Sequence, residues 1–335
     1  RLTEIRLRSL PAHLRCPLQG SHIVRRLAAL VSEYRPHSHA DVIVGRYLSG
    51  YYFDGKHHSP GSQIVRMYTD QVPDHDMSRD LAREHGFGLV PSIRHALTGI
   101  ADESMGARSL EVDGILLICE HGAYPYNPLG QKLYPRYEFF KQVIDVFRET
   151  GQTVPVFFDK HYSVEWWKAR WMVDQARDLG FPLMAGSVIP LGRHPDCRWL
   201  KGRPISKAIG IWNADFSDSK ESYGFHALEN LQGMVEQRSE VETGIAAVQC
   251  LEGDSAWAWT DQHPWSQQLL ASICVSDPRA CPDPLLFVLE YADGLEAVIY
   301  RLNEVETQSD FAALVPGESE PVVVPTTSDT PRPVH

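Results

Sequence analysis

In Val154-Pro-Val-Phe-Phe-Asp-Lys-His161 a short apolar run stops abruptly on an acid, a cation and an imidazole. A continuous apolar run of this length predicts a strand covered on both faces, as in a parallel sheet. Gly114-Ile-Leu-Leu-Ile-Cys119 repeats the pattern and stops on Glu120 and His121. Further strands are predicted at Asp41-Val-Ile-Val-Gly45, from Ser62 to Tyr68, near Leu89 and Val90, and from Phe181 to Ser187. Helical spacing fills the intervals. One helix runs from Met77 to His85, with Asp76 as N-cap and Gly86 as its stop, and a second holds Ile93, Ala96 and Leu97. A third runs from Arg136 to Thr150, with Phe139, Phe140, Val143 and Phe147 inward. A fourth, capped by Ser163, places Trp166, Ala169, Val173, Ala176 and Leu179 on one face and closes at Gly180. Strands alternating with helices of this size predict βαβ units.

The texture changes after about residue 188. Ser206 to Asn213 alternates like a half-exposed strand, and Ser222 to Arg238 has helical spacing. Gly244 to Cys250 is a further strand, and Leu285 to Tyr291 pairs with Glu296 to Leu302 through Ala292-Asp-Gly294, a hairpin signal. The expected fold class is therefore α/β: a Rossmann-like parallel sheet domain, then an α+β domain with a mixed or antiparallel sheet. Residues 1–38 read as a basic appendage with one helical stretch near Ile23 to Tyr34, where Ile23, Leu27, Leu30 and Val31 share a face. The Rossmann-like domain is expected over 39–188 and the α+β domain over 189–316. A loosely held tail, rich in Pro, Ser and Thr, is expected over 317–335.

Composition narrows the function classes. A formal net charge of −11 over 335 residues argues against a nucleic-acid surface, which needs clustered Lys and Arg. No apolar run approaches the roughly 20 residues of a bilayer span, and no secretory h-region is seen. The 6 cysteines lie far apart with no Cys-x-x-Cys pair, so neither a zinc knuckle nor a disulfide scaffold is expected. The expected setting is cytoplasmic and reducing.

Ligands of open α/β sheets bind beyond the carboxyl ends of the strands. Neighbouring strand ends would bring Glu120, His121, Asp159, Lys160 and His161 into one crevice. In extended chain Asp159 and His161 would face one way and Lys160 the other. The order of these elements resembles the Gfo/Idh/MocA family of nicotinamide-dependent oxidoreductases, many of which act on sugars and cyclitols. The resemblance covers roughly residues 40–305 and is carried by arrangement more than by a strict motif. It implies NAD or NADP as cofactor and an exposed sheet face used for homo-oligomerisation. Gly45-Arg-Tyr47-Leu-Ser-Gly50 stands for the family's Gly-x-Gly-x-x-Gly, with Tyr47 at the middle glycine. Asp70 stands for the acid on the adenosine ribose, and Asp159-Lys160-His161 for Glu-Lys-Pro, whose Lys contacts substrate. Tyr223-Gly-Phe-His226 looks like the helix whose His serves as acid or base, with Glu229 on the same face. Glu120 and His121 replace the small residues expected beside the nicotinamide.

Two kinds of chemistry suit these residues. In the redox reading Lys160 holds an oxygen and His226 moves the proton, with Asp159, His161 and His121 around them and a sugar-like or polyol substrate. In the alternative, His121, Asp159, His161, His226 and Glu229, with Glu120, bind a divalent metal for a lyase, isomerase or hydrolase. A third reading is a silent small-molecule binding protein. Tyr124, Tyr126 and Tyr134 would line a sugar wall or simply pack their loop. His57-His58 reads as a polar loop, and His194-Pro-Asp-Cys197 as an irregular segment rather than a metal site. Trp166, Trp167 and Trp171 read as core and interface. No nucleic acid or membrane partner is expected.

Overall fold

The computed structural model describes residues 24–53, 55–187, 201–212 and 220–325. His194-Pro-Asp-Cys197 and residues 326–335 lie outside them. The first domain runs β1 (Arg25–Val31), α1 (His39–Ser49), the hairpin β2 (Tyr51–Phe53) and β3 (Lys56–His58), then β4 (Ser62–Thr69) and α2 (Ser78–His85). There follow β5 (Gly88–Val90), α3 (Ile93–Thr98), β6 (Gly114–Ile118), α4 (Arg136–Thr150), β7 (Val156–Asp159), α5 (Trp166–Leu179) and β8 (Leu183–Gly186). The sheet order is β5-β4-β1-β6-β7-β8, with every neighbouring pair parallel. Counting this sheet's strands in chain order, that is 3-2-1-4-5-6, the doubly wound dinucleotide-fold order whose switch point lies between β1 and β6.

Helices cover both faces. α3, α4 and α5 pack Ile93, Leu97, Phe140, Val143 and Met172 against Leu30, Leu117 and Phe158. α1 packs Ala40 and Val44 against Val31, Met67 and Ile118. Each fully buried Phe or Leu here contributes about 2–3 kcal/mol of transfer free energy.

Two expectations are corrected at the start of the chain. Residues 25–31 form the central strand β1, not a helix of an appendage. Buried on both faces, the strand need not alternate, and its apolar positions mimic helical spacing. Residues 41–45 are helical, not a strand. Ser38 caps α1 by accepting from the Asp41 amide, and Ala40 and Val44, four apart, share the buried side. The β-branched run Val42-Ile43-Val44 had suggested a strand; the cap and the buried stripe outweigh its propensity. Smaller shifts occur at two caps. The N-cap of α2 is Met77, with Asp76 accepting from the Ser78 hydroxyl instead. The N-cap of α5 is Glu165, whose amide donates to Ser163.

The second domain comprises β9 (Lys207–Trp212), α6 (Lys220–Val235), β10 (Ile245–Glu252), α7 (Asp254–Asp261), α8 (Pro264–Ile273), β11 (Leu285–Tyr291), β12 (Glu296–Arg301), β13 (Ser309–Leu314) and β14 (Val322–Pro325). Its sheet order is β10-β11-β12-β9-β13-β14. Only β12 and β9 pair in parallel. α6 covers one face through Ala227, Leu231 and Val235. α7 and α8, which the apolar pattern had not suggested, cover the other through Ala256, Leu269 and Ile273. The hydroxyl of buried Tyr300 is satisfied by Thr260 and Ser266 at 2.7 and 2.8 Å. β14 extends the sheet into residues expected to form a loose tail, because Val322 to Val324 pair with Phe311 to Ala313.

Candidate functional site

The described polar groups concentrate where β1, β6 and β7 end. Glu120, two residues past β6, is buried and holds two cations: Lys160 Nζ donates to its Oε1 at 3.1 Å, and Arg136, at the start of α4, donates to its Oε2. Burial alone would raise the Glu120 carboxyl, but Arg136 and then Lys160 outweigh it and hold the group well below the usual carboxylate range. Arg136 also lies 4.9 Å over the Tyr134 ring. Ser32, following β1, donates its hydroxyl to the Glu120 carbonyl at 2.7 Å.

A second layer crosses the same strand ends. His39, the first residue of α1, has Nδ1 2.7 Å from Asp159 Oδ2, with both side chains buried. Its ring meets that of His121 edge to face at 5.1 Å. Arg35 pairs with Glu33 at 2.6 Å and reaches His121 Nδ1 at 3.2 Å. Burial first, and the neighbouring cations next, push His121 down to about 4, so its ring is neutral and Nδ1 accepts from Arg35. The strand ends are strained. His37, His121 and Lys160 have φ of 62°, 70° and 64°, a region that side chains other than glycine rarely adopt. The left-handed turn at Lys160 corrects the extended-chain expectation. Asp159 goes to His39, Lys160 to Glu120, and His161 packs edge-on against Phe225 at 5.0 Å. Burial, reinforced by Arg136, pushes His161 down to about 3.

The second domain contributes α6. His226 Nδ1 lies 3.1 Å from Glu229 Oε2, and Glu229 also accepts from the Ser187 amide and hydroxyl at 3.0 and 2.7 Å. Burial lowers His226 and the Glu229 bond opposes it. His226 thus faces the site from a helix tied to the end of β8.

The structure sorts the remaining expectations. Gly45 and Tyr47 lie inside α1, and Gly50 is its C-cap at φ 77°, so the turn after the first strand is not built from them. That turn is 32–38, with no glycine in it. His57 and His58 belong to β3, not a loop. Trp171 packs in the core, while Trp166 and Trp167 are exposed. Among the described residues no three His, Cys, Asp or Glu side chains are grouped to hold a metal. His226 and Glu229 bond each other, but His121 meets Arg35, Asp159 meets His39 and His161 packs on Phe225, so the five do not converge on one point and the metal set does not fit. Arg35, His39 and Arg136 belong to the site and were not anticipated. Ser38-x-x-Asp41, a helix-start signal, would have placed His39 at the head of α1.

The family resemblance implies a dinucleotide at these strand ends. The 32–38 turn feeds the N-terminus of α1 at the switch point, where a pyrophosphate lies in such sheets. Tyr34 sits mid-turn, but it is fully buried with Ala40, Val44 and Met67, so its ring does not enter the crevice. Arg35 supplies a guanidinium at the turn. Asp70, which the resemblance assigns to the ribose, follows β4, and its two oxygens accept from Tyr68 at 2.8 Å and Tyr124 at 2.7 Å. A guanidinium for phosphate and a carboxylate for ribose hydroxyls fit the group.

No protein-family model and no curated protein matches the sequence. Solved structures do match in fold. The apo scyllo-inositol dehydrogenase from Lactobacillus casei superposes at a TM-score of 0.52 with 9% identity, covering 90% of this chain and 75% of that one. GenD2 from gentamicin A biosynthesis, solved with NAD, superposes at 0.51 with 14% identity, covering 92% and 75%. The chain therefore has the two-domain fold of these proteins, as the resemblance implied.

Proposed function

We propose that this protein is an oxidoreductase that uses a nicotinamide dinucleotide, NAD or NADP, on a sugar-like or polyol substrate. The observation that carries the reading is the buried Lys160–Glu120–Arg136 group at the strand ends of a 3-2-1-4-5-6 sheet. Arg35 and the first turn of α1 would hold the pyrophosphate, and Asp70 the adenosine ribose. The dinucleotide, when bound, supplies hydride transfer. Glu120 fixes the Lys160 side chain, so its Nζ can hold a hydroxyl or carbonyl oxygen without reorganising. Glu229 fixes the ring of His226, a candidate proton carrier on the facing helix. The fold likeness to an inositol dehydrogenase and an NAD-bound protein supports this reading.

The test is fluorescence titration of the purified protein with NAD and NADP, followed by a polyol and sugar panel read by reduced-nicotinamide absorbance. Saturable binding with turnover that Lys160→Ala abolishes is the expected result. No binding of either dinucleotide would end the redox reading.

A further inference from the structure

The loops that leave β6 and β7 lead to two helix starts that share one pocket. It has a volume of about 290 Å³ and is lined by residues 132–138, the entry to α4, and by 163–165 with Lys168, the entry to α5. Ligand pockets begin near this size, about 300 Å³, so it has room for more than a lone ion. α4 and α5 have 15 and 14 residues, and neither N-cap residue, Pro135 or Glu165, makes a side-chain bond to its first turn. The first amides of a helix have no acceptor inside it and form the positive end of its dipole, which suits an anion. A second observation points the same way. Arg136 lines the pocket, its side chain is only 4% exposed, and its Nε has no hydrogen-bond partner. Glu120 takes its Nη2, so the Nε–H is a buried donor without an acceptor. Lys132 and Lys168 line the same pocket, and Lys168 Nζ lies 5.4 Å over the Tyr137 ring. Two acids line it as well, Glu138 and Glu165, and both pair with Lys168, Glu138 at 3.7 Å.

We propose that this pocket binds a compact oxyanion, a carboxylate or a phosphate, carried by a small sugar-like ligand. Arg136 Nε and the first amides of α4 and α5 donate to its oxygens. Lys168 supplies charge, and the Tyr137 ring packs on the carbon skeleton. The bound anion replaces Glu165 as the partner of Lys168. The site lies apart from the pyrophosphate turn, because α1 packs on one face of the sheet and α4 and α5 on the other. Arg136 and Lys160 share the Glu120 carboxylate, so one acid joins this pocket to the reacting centre. The inference deepens the proposed function, and only on that reading is the ligand the substrate, a sugar acid or a sugar phosphate.

The experiment is calorimetric titration of the full chain with inorganic phosphate and with acetate, at low ionic strength and without dinucleotide. The expected result is saturable binding of at least one of the two anions. Lys168→Gln should weaken it about tenfold, the loss of one charge-assisted contact. Arg136→Lys keeps a cation for Glu120 but has no Nε–H, and should weaken it about tenfold as well. Glu165→Gln removes the competing acid and should tighten it about threefold, which a pocket without a ligand does not predict. Phosphate alone supports a sugar phosphate, and acetate alone a sugar acid. Binding of both supports the shared oxyanion chemistry. Saturation by neither anion overturns the proposal. So does binding that Arg35→Gln abolishes and Lys168→Gln leaves intact, since the anion then sits at the pyrophosphate turn. Neither dinucleotide nor turnover enters the readout. Failure here leaves the redox reading standing, and failure of dinucleotide binding leaves this site standing.

Discussion

The ammonium of Lys160 donates to the carboxylate of Glu120 at 3.1 Å, and both side chains are buried. The same carboxylate holds Arg136, so Glu120 is the only acid in contact with both cations among the described groups. Removing one member of a buried charged group leaves the others uncompensated and costs about 3–5 kcal/mol. Glu120→Gln should therefore lower unfolding stability by about that amount in urea titration, far more than an exposed substitution. A loss under about 1 kcal/mol would show that the two cations find other partners or water.

Acid pH should loosen the site through its histidines. His121 and His161 are held near 4 and 3, mainly by burial, against an unfolded value of about 6.5. Below about pH 6.5 the unfolded chain binds protons that the folded chain refuses, so stability falls with falling pH down to the folded values. Glu120 adds to the loss lower down. Its folded carboxyl is depressed, so its contribution is complete above about pH 4.3 and fades below it. Between about pH 5.5 and 4.5 each histidine steepens the dependence by up to about 1.4 kcal/mol per pH unit. His161→Gln should remove one such share from the slope of urea stability against pH. An unchanged slope would mean that His161 protonates freely in the fold.

How much of this could be read from the chain differs by residue. Glu120, His121, Asp159 and Lys160 announced themselves because apolar strands stopping on polar residues mark the carboxyl ends of a parallel sheet. The first strand did not. Leu27, Leu30 and Val31 fall at helical spacing inside a strand that is buried on both faces, where alternation carries no information. The only glycines near the expected first turn, Gly45 and Gly50, belong to α1 and its cap, so the phosphate turn has no glycine signal. His39 and Arg35 were lost with it. The pairing of His39 with Asp159 spans 120 positions of sequence and depends on strand order, which local pattern does not specify. His226 was placed correctly on a helix, but its tie to Ser187 through Glu229 joins two domains and has no local signature.

Tyr124 offers a test of the ribose position. Its hydroxyl donates to Asp70 Oδ2 at 2.7 Å, and its loop is held a second time where the Ala123 amide donates to Gln71 at 2.8 Å. Burial and the Asp70 bond both raise the Tyr124 phenol, so it stays a donor throughout the working range. If Asp70 takes the ribose, Tyr124→Phe removes an internal competitor while Tyr68 still orients the carboxylate. Dinucleotide affinity should rise about three- to tenfold, the equivalent of about 1 kcal/mol for one hydrogen bond. Titration of both proteins by tryptophan fluorescence reads this directly. Weaker binding in the variant would place Tyr124 among the ligand contacts and take Asp70 out of that role.

Lys160 combines a buried charge with a backbone angle that suits glycine, and two substitutions separate these. Both Lys160→Ala and Lys160→Gly remove the ammonium beside Glu120 and should abolish turnover alike. They differ in the backbone. At φ 64° an alanine keeps the clash of Cβ with the following carbonyl, worth about 1–2 kcal/mol, whereas glycine relieves it. Elsewhere in a fold, Gly in place of Ala usually destabilises by about 0.5–1 kcal/mol through the unfolded chain. The sign should therefore reverse here, with Lys160→Gly the more stable variant by about 1 kcal/mol or less in urea titration. If the alanine variant is the more stable one, the left-handed turn is not kept without the lysine, and the Lys160–Glu120 bond itself holds the strand end in that conformation. That outcome would make the charge pair the cause of the strain rather than its occupant.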